Sequence, residues 1–471
     1  MTAADATDRN RPEPGGEGCK SSAAIFTEGS TFRHVLVMTT TVSIGTMAVF
    51  FVDLADIYFL SHLGVTDVTA AVGYALSILL LELSVGLGSG IAASVLVSRS
   101  LGAGDSWGAR EKATCSFLFA VLLSALIALG VALFSDGLLS LMGAAGEAKR
   151  LAKIFIWTIS PAYVLTAGSF CLACILRSLG DASRAMYVTL STAIVILILD
   201  PVFIFWFGWG MQGAALANIA AEAIGLCVGL HGVIKVHAAL NPMRWRGLLL
   251  YKGEIWAVAY PAALAQLTLP LANAYMTYVI AGFGDGAVAG FAIICRLVPV
   301  AFGGVFALSS AVGPVIGQNF GARRHDRVRA AFTQSLVVAS FYAAGMALVL
   351  HVFSAQIAMA FKAEAQSYSV ITFFCSFAAV SWVFIGAQFV ASAAFNNVGH
   401  PRLSALFSWG RISFGTVPFV MLGAAWAGPE GVLTGNALGA LICGSAAVVG
   451  AYRLFALQQT APEPETMNSC A

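Results

Sequence analysis

The chain has 471 residues, 59% of them hydrophobic and only 10% charged, with 25 Lys and Arg against 23 Asp and Glu for a formal net charge of +2. A water-soluble domain carries roughly 25% charged residues. A chain this apolar, with a mean hydropathy of +0.85, cannot cover itself with polar surface, so the composition excludes a soluble protein and a nucleic-acid partner is not expected.

In chain order, residues 1–33 are polar and rich in Gly, Pro and charge. They lack the apolar core of a signal peptide and read as a disordered cytoplasmic leader. A membrane span needs about 20 apolar residues. Twelve such stretches follow, over 34–61, 68–98, 109–134, 150–176, 185–207, 212–236, 254–281, 286–317, 328–353, 366–397, 402–424 and 430–456. The expected class is therefore an all-α polytopic membrane protein. Pro201, Pro270, Pro299, Pro314 and Pro418 lie inside spans, where a missing backbone donor bends a helix. Residues 237–253 form a linker carrying Arg244, Trp245 and Arg246; it suits either an amphipathic strap on the membrane surface or an ordinary basic loop. Residues 458–471 read as a tail.

Lys and Arg set the orientation. With the first residue inside, the inner segments hold 19 of them and the outer loops four (Lys149, Arg150, Lys153 and Lys362), while Arg296 and Arg411 fall inside spans. Both termini are expected in the cytoplasm of a bacterial inner membrane. Cys171 and Cys174 form a CxxC inside an apolar span, where small buried side chains are the simplest account.

The chain also repeats. Gly210, Gly213 and Asn218 recur as Gly428, Gly431 and Asn436, Gly73 as Gly290, Gly102-Ala103 as Gly321-Ala322, and Gly180 as Gly399, each pair 217 to 219 residues apart. The domains expected are a first lobe over 34–236 and a second over 254–457. Six spans per repeat is an even number, so the lobes are parallel repeats. The seam between such repeats is where transporters place their cargo.

Charges at membrane depth are costly, about 2.5–3.5 kcal/mol each on insertion scales, and mark function when present. The first lobe has five acids there, Asp53, Asp56, Glu82, Asp200 and Glu222; the second has none, and its deep charges are Arg296 and Arg411. Val417 stands before Pro418 where Asp200 stands before Pro201. Asp53 and Asp56, three apart, share a helix face. Two close carboxylates in low dielectric cannot both ionise cheaply, so such a pair takes a proton or a sodium ion. Arg296 and Arg411 are either counter-ions for anionic groups or partners of helix ends. Phe50, Phe51 and Tyr58 are aromatic candidates for a cavity wall, with lipid-facing filler as the other account.

The segments "DLADIYFLSHLG…TAAVG", "LVSRSLGAGD", "ILRSLGDASRAM", "ILDPVFIFWFGWGMQGAALAN", "CRLVPV" and "IGQNFGARRHDRVRAAF" together resemble the MATE (multidrug and toxic compound extrusion) family over about residues 30–456. The resemblance implies a V-shaped pair of six-helix lobes. It also implies export of amphipathic, often cationic, drugs and metabolites in exchange for protons or sodium. The family's acid on helix 1 falls on Asp56, and its acid before proline on helix 5 falls on Asp200. An Asn one turn before the latter falls on Ile196, a Thr on helix 6 falls on Asn218, and Asp53 stands where some relatives carry Asn. A lost amide oxygen and a gained carboxylate favour protons over sodium as the coupling ion. Gln266 and an acid-free span 10 look like the DinF-like branch. Glu222, Gln266, Arg296 and Tyr58 are the candidates for the cargo cavity. Small organic cations and membrane lipid are the expected partners of a monomer, and no metal or other cofactor is expected.

Two other functions compete for the same residues. A lipid or glycolipid flippase of the same broad superfamily needs a basic cavity, but acids outnumber arginines five to two at depth. A membrane enzyme needs a nucleophile, dyad or metal motif, and none is present at depth; no GxxxxGK[ST] loop for ATP occurs either.

Overall fold

The computed structural model describes residues 24–61, 66–242 and 245–460, apart from the side chains of 53, 56–61, 66–70, 72, 245 and 460. These residues form fourteen α-helices: α1 (Thr31–Ser61), α2 (Thr66–Gly102), α3 (Ser106–Leu141), α4 (Gly146–Ser178), α5 (Ala182–Pro201), α6 (Gly210–Leu230), α7 (Trp245–Ala281), α8 (Asp285–Gly321), α9 (His325–Val352), α10 (Ser354–Ala360), α11 (Ala365–Ser376), α12 (Trp382–Asn397), α13 (Pro401–Gly410) and α14 (Val417–Thr460). Eleven helical stretches are long and apolar enough to cross a membrane, the last being Pro401–Gln459 with 59 residues. At 1.5 Å per residue that stretch would run about 90 Å, some three bilayer cores. It does not run straight. Gly428 has φ +59° inside α14, and the backbones of Gly423 and Gly431 lie face to face, as do those of Phe419 with Gly435 and Gly415 with Gly439. Residues paired about 427 in this way make an antiparallel hairpin, so the stretch counts as two spans and the total is twelve, in two six-helix bundles forming a V.

The ends of several segments differ from the sequence-based expectation. Residues 24–33 are not a disordered leader: Ile25–Thr27 is a 3₁₀ turn, and Phe26 is 2% exposed in a cluster with Leu308, Val312 and Phe332. The second half of the proposed linker is helical, since α7 starts at Trp245. The span at 366–397 is broken at Phe377 between α11 and a 3₁₀ turn. Pro201 and Pro299 disturb their helices as expected, the first leading into a π-turn over Val202–Trp206 and the second standing three residues before the kink at Phe302.

Large apolar side chains lie on the outside of the bundles as well as in their cores. Leu126, Leu133 and Phe134 on α3, Phe341 and Leu348 on α9, and Leu422 and Trp426 on α14 are exposed, which is how a chain solvated by hydrocarbon differs from one solvated by water. The described termini and the loops after α2, α4, α8 and α12 share one end of the molecule. There Ile25 touches Gly180, Arg99 reaches Gly399, and Gln458 donates to the Val398 carbonyl at 3.2 Å.

The repeat now has a physical reason. A Cβ on Gly102 would strike the Gln318 carbonyl, and one on Gly321 the carbonyl of Arg99. The matching ends of α2 and α8 thus cross backbone to backbone, and only glycine allows that approach.

Asp181 caps α5 at this same end. It accepts from the Arg184 amide at 3.0 Å and from His237 Nε2 at 2.9 Å, and pairs with the Arg184 guanidinium. Burial alone would raise its carboxyl, but the hydrogen bonds from His237 and Arg184 outweigh burial and hold it well below the usual carboxylate range. A depressed folded-state value means stabilisation that is complete above about pH 4, the unfolded value, and is lost as pH falls through the folded one. Thermal midpoints of the detergent-solubilised protein should therefore fall more steeply on acidification below about pH 4 for the parent chain than for Asp181→Asn; parallel curves would remove this group from the stability of the fold. Gly431→Val places a side chain against the Gly423 carbonyl and should cost about 1–3 kcal/mol, read as a lower midpoint at constant pH.

Candidate functional site

The site is built where α1, α5 and α6 meet. Val52 on α1, Ala193 and Ile196 on α5 and Ala221 on α6 form one buried cluster, with Ala48 packed against it. Farther toward the termini, Gly45 of α1 abuts Thr189 of α5. Gly45 with Thr189 and Val52 with Ile196 have the same spacing of 144 residues. Parallel helices at constant offset keep their register, and the next pair at that spacing is Asp56 with Asp200. The backbone thus carries the two acids at one level, a turn beyond the apolar cluster and away from the termini. Asn218, three residues before Ala221 on the antiparallel α6, comes to the same level.

Asp200 is 0% exposed in the last turn of α5. The side chains of Asp53, Asp56 and Tyr58 lie outside the described residues. Asn218 is half-buried and donates to the Ala214 carbonyl of its own helix at 3.2 Å. Ile196, where the resemblance has an amide, is 7% exposed and apolar, so it offers this site no ligand atom.

The other expected cavity residues do not gather there. Glu222 turns toward α4 and accepts from Ser169 Oγ at 2.7 Å. Gln266 is half-buried on α7, three residues past Ala263, which abuts Gly88 of α2. Arg296 is exposed on α8. Arg411 is 2% exposed at the start of a π-turn over Arg411–Thr416 and has no carboxylate partner among the described residues.

Reading the sequence alone missed a second set of residues, the joint between the lobes at the termini end. Arg99 of α2 donates to the carbonyls of Asn397 at 2.8 Å and Asn396 at 2.9 Å, and its guanidinium lies 5.4 Å from the Phe320 ring centre. Gln318 of α8 donates to the Ser178 carbonyl at 2.8 Å and accepts from the Phe26 amide at 2.9 Å. Arg324 holds the Thr27 carbonyl at 2.6 Å, and Arg327 holds those of Gly29 at 2.9 Å and Phe26 at 3.0 Å. The available signal was the amide pairs, Gln318-Asn319 and Asn396-Asn397, ending otherwise apolar helices.

α1 belongs to both lobes. Its first half, through Val35, Met38 and Val42, packs with Leu308, Ala311 and Val312 of α8, and its second half, through Val52, packs with α5. Between the two, Phe50 meets Phe306 edge-on at 5.8 Å.

A family model described as MatE matches residues 31–202 and 261–421. The chain is 30% identical over 437 residues to a FAD transporter of Shewanella oneidensis, covering 90% of this chain and 94% of that protein. It is 23% identical to the multidrug export protein MepA of Staphylococcus saprophyticus, covering 91% and 95%. The crystal structure of the Vibrio cholerae MATE transporter VcmN in its bent form superposes with a TM-score of 0.85 at 25% identity, over 91% of this chain and 98% of that one. On this family match and these likenesses, the chain belongs to the MATE family, a family of multi-pass membrane transporters rather than enzymes.

Proposed function

We propose that the chain is a secondary antiporter of the DinF-like branch that exports small amphipathic organic cations, with protons rather than sodium as the coupling ion. The observation that carries this reading is the constant register that brings Asp56 and Asp200 to one level in the first lobe, where the second lobe has Val417 and no acid. The chain sits as a monomer in a bacterial inner membrane, both termini and the interlobe joint on the cytoplasmic side, with lipid around its apolar belt.

The cycle runs on α1. Protons arriving from outside neutralise Asp56 and Asp200, which removes their mutual repulsion and their demand for water. α1 then repacks against α5 and displaces the cargo outward. Because the first half of α1 is packed on α8, that movement also loads the joint between the lobes. Release of protons to the cytoplasm restores the charges that attract the next cation. Exchange requires only that proton and cargo stabilise different states.

One observation favours a second cargo class. The relative at 30% identity is named as a FAD transporter, and FAD carries an anionic pyrophosphate. On that reading Arg296 and the buried Arg411 of the second lobe meet the phosphates, and the first-lobe acids keep the coupling role.

In proteoliposomes, export of a fluorescent organic cation should follow an imposed pH gradient. Asp56→Asn and Asp200→Asn should each abolish it while extraction yield and elution volume stay unchanged. Transport by either variant at the parent rate refutes the coupling site, and transport driven by sodium alone refutes the choice of ion. The same vesicles with FAD as cargo decide between the two cargo classes.

Arg99→Met removes two charge-assisted hydrogen bonds of the joint, worth about 1.5–3 kcal/mol each. Spin labels at Ser183 and Arg402, on opposite lobes at the joint end, should then show longer distances gaining population. An unchanged distribution would take Arg99 out of the joint.

A further inference from the structure

The first lobe holds two further acids that the coupling pair does not use, Glu82 buried and Glu222 half-buried, and both are served by α4. Ser160, Tyr163, Thr166 and Ser169 recur every third residue, a ridge that winds across a helix surface. At one end of the ridge Ser160 Oγ donates to Glu82 Oε1 of α2 at 3.1 Å. At the other, Ser169 Oγ donates to Glu222 Oε2 of α6 at 2.7 Å, with Thr166 as a second hydroxyl beside it.

Glu82 is the informative member. It is 1% exposed, and its Oε2 is buried with no hydrogen-bond partner among the described residues. Gly86, one turn along α2, packs on Ala167 of α4. A carboxylate in such a place would leave half its acceptor capacity unmet, at the cost of a buried, unsatisfied charge. A carboxylic acid is the form this packing tolerates, and a buried hydroxyl beside it can exchange roles between donor and acceptor.

We propose that α4 organises a second proton-binding locus of the first lobe, Glu82 with Ser160 and Glu222 with Thr166 and Ser169, separate from Asp56 and Asp200. Of the helices packed against α2, α4 carries Tyr163, α8 carries Asp285 and Arg296, α3 carries Arg110, Glu111, Lys112 and Asp136, and α7 carries Arg246, Lys252 and Glu254. Of the helices packed against α6, α5 carries Arg184 and Asp200, α4 carries Glu147, Lys149, Arg150, Lys153 and Arg177, and α1 carries Asp53 and Asp56. Neither acid has an ion-pair partner among the described residues. The locus binds protons that are taken up or released as α2 and α6 shift against α4, so the chain moves more protons per cycle than the coupling pair alone supplies. This rests on the antiport reading only for that last consequence.

The test is infrared difference spectroscopy of the full-length protein in lipid, recorded between acid and alkaline pH without cargo. The stretching band of protonated, buried carboxylic acids should lose one component in Glu82→Gln and another in Glu222→Gln. Ser160→Ala should retain the Glu82 component but shift it upward in frequency, because a hydrogen bond to the carbonyl oxygen is gone; a purely structural Glu82 would give no such shift. Asp200→Asn should leave both components in place. Spectra of Glu82→Gln and Glu222→Gln that superimpose on the parent overturn the inference, even if Asp200→Asn abolishes transport. Both components present in a protein that moves no cargo under any gradient would instead remove the antiport reading and keep this one.

Discussion

One helix packed against two bodies sets the terms for the whole molecule. α1 is held by α8 of the second lobe along Val35, Met38 and Val42, and by α5 of the first lobe at Val52. Within a bilayer there is no aqueous alternative for a displaced apolar face and no solvent for a broken backbone bond. α1 is therefore one continuous packed connection between its contact with α5 and the lobe interface. The acids and the interlobe joint sit at opposite ends of that one element.

The joint is built mainly from backbone. α2 and α8 cross where Gly102 and Gly321 leave no room for side chains, and Arg99, Gln318, Arg324 and Arg327 grip carbonyl oxygens rather than carboxylates. Carbonyl acceptors are neutral, so the lobes can part without leaving a bare buried anion behind. An ion-paired joint of the same area would face the cost of separating charges in low dielectric. The segment over Ile25–Thr27 adds a strap, bound on its carbonyl side to the second lobe while its chain continues into α1.

The two bundles share a plan and differ in charge. Matching glycines serve the same close approaches in both. The acids at membrane depth, however, occur only in the first bundle, while Arg411 is buried in the second without a carboxylate partner among the described residues. Within the first bundle the acids divide further. Asp200 is buried in the last turn of α5, at the level that the backbone gives Asp56, whereas Glu82 and Glu222 turn to hydroxyls of α4.

The amino-acid sequence by itself determined the class, the twelve spans, the repeat and the lopsided placement of acids. These follow from a solvent that demands about 20 apolar residues per crossing and penalises every charge. Span ends were less legible, because a helix such as α7 continues past the hydrocarbon into residues whose composition looks like a loop, and because Phe26 is recognisable as buried only once its pocket exists. The register of α1 on α5, the crossing of α2 with α8, the grip of Arg99 on Asn397 and the turn of Glu222 toward α4 were decided by tertiary structure alone. Their partners lie from 53 to 298 residues apart. Local periodicity records which face of a helix is apolar, but not which other helix that face will meet.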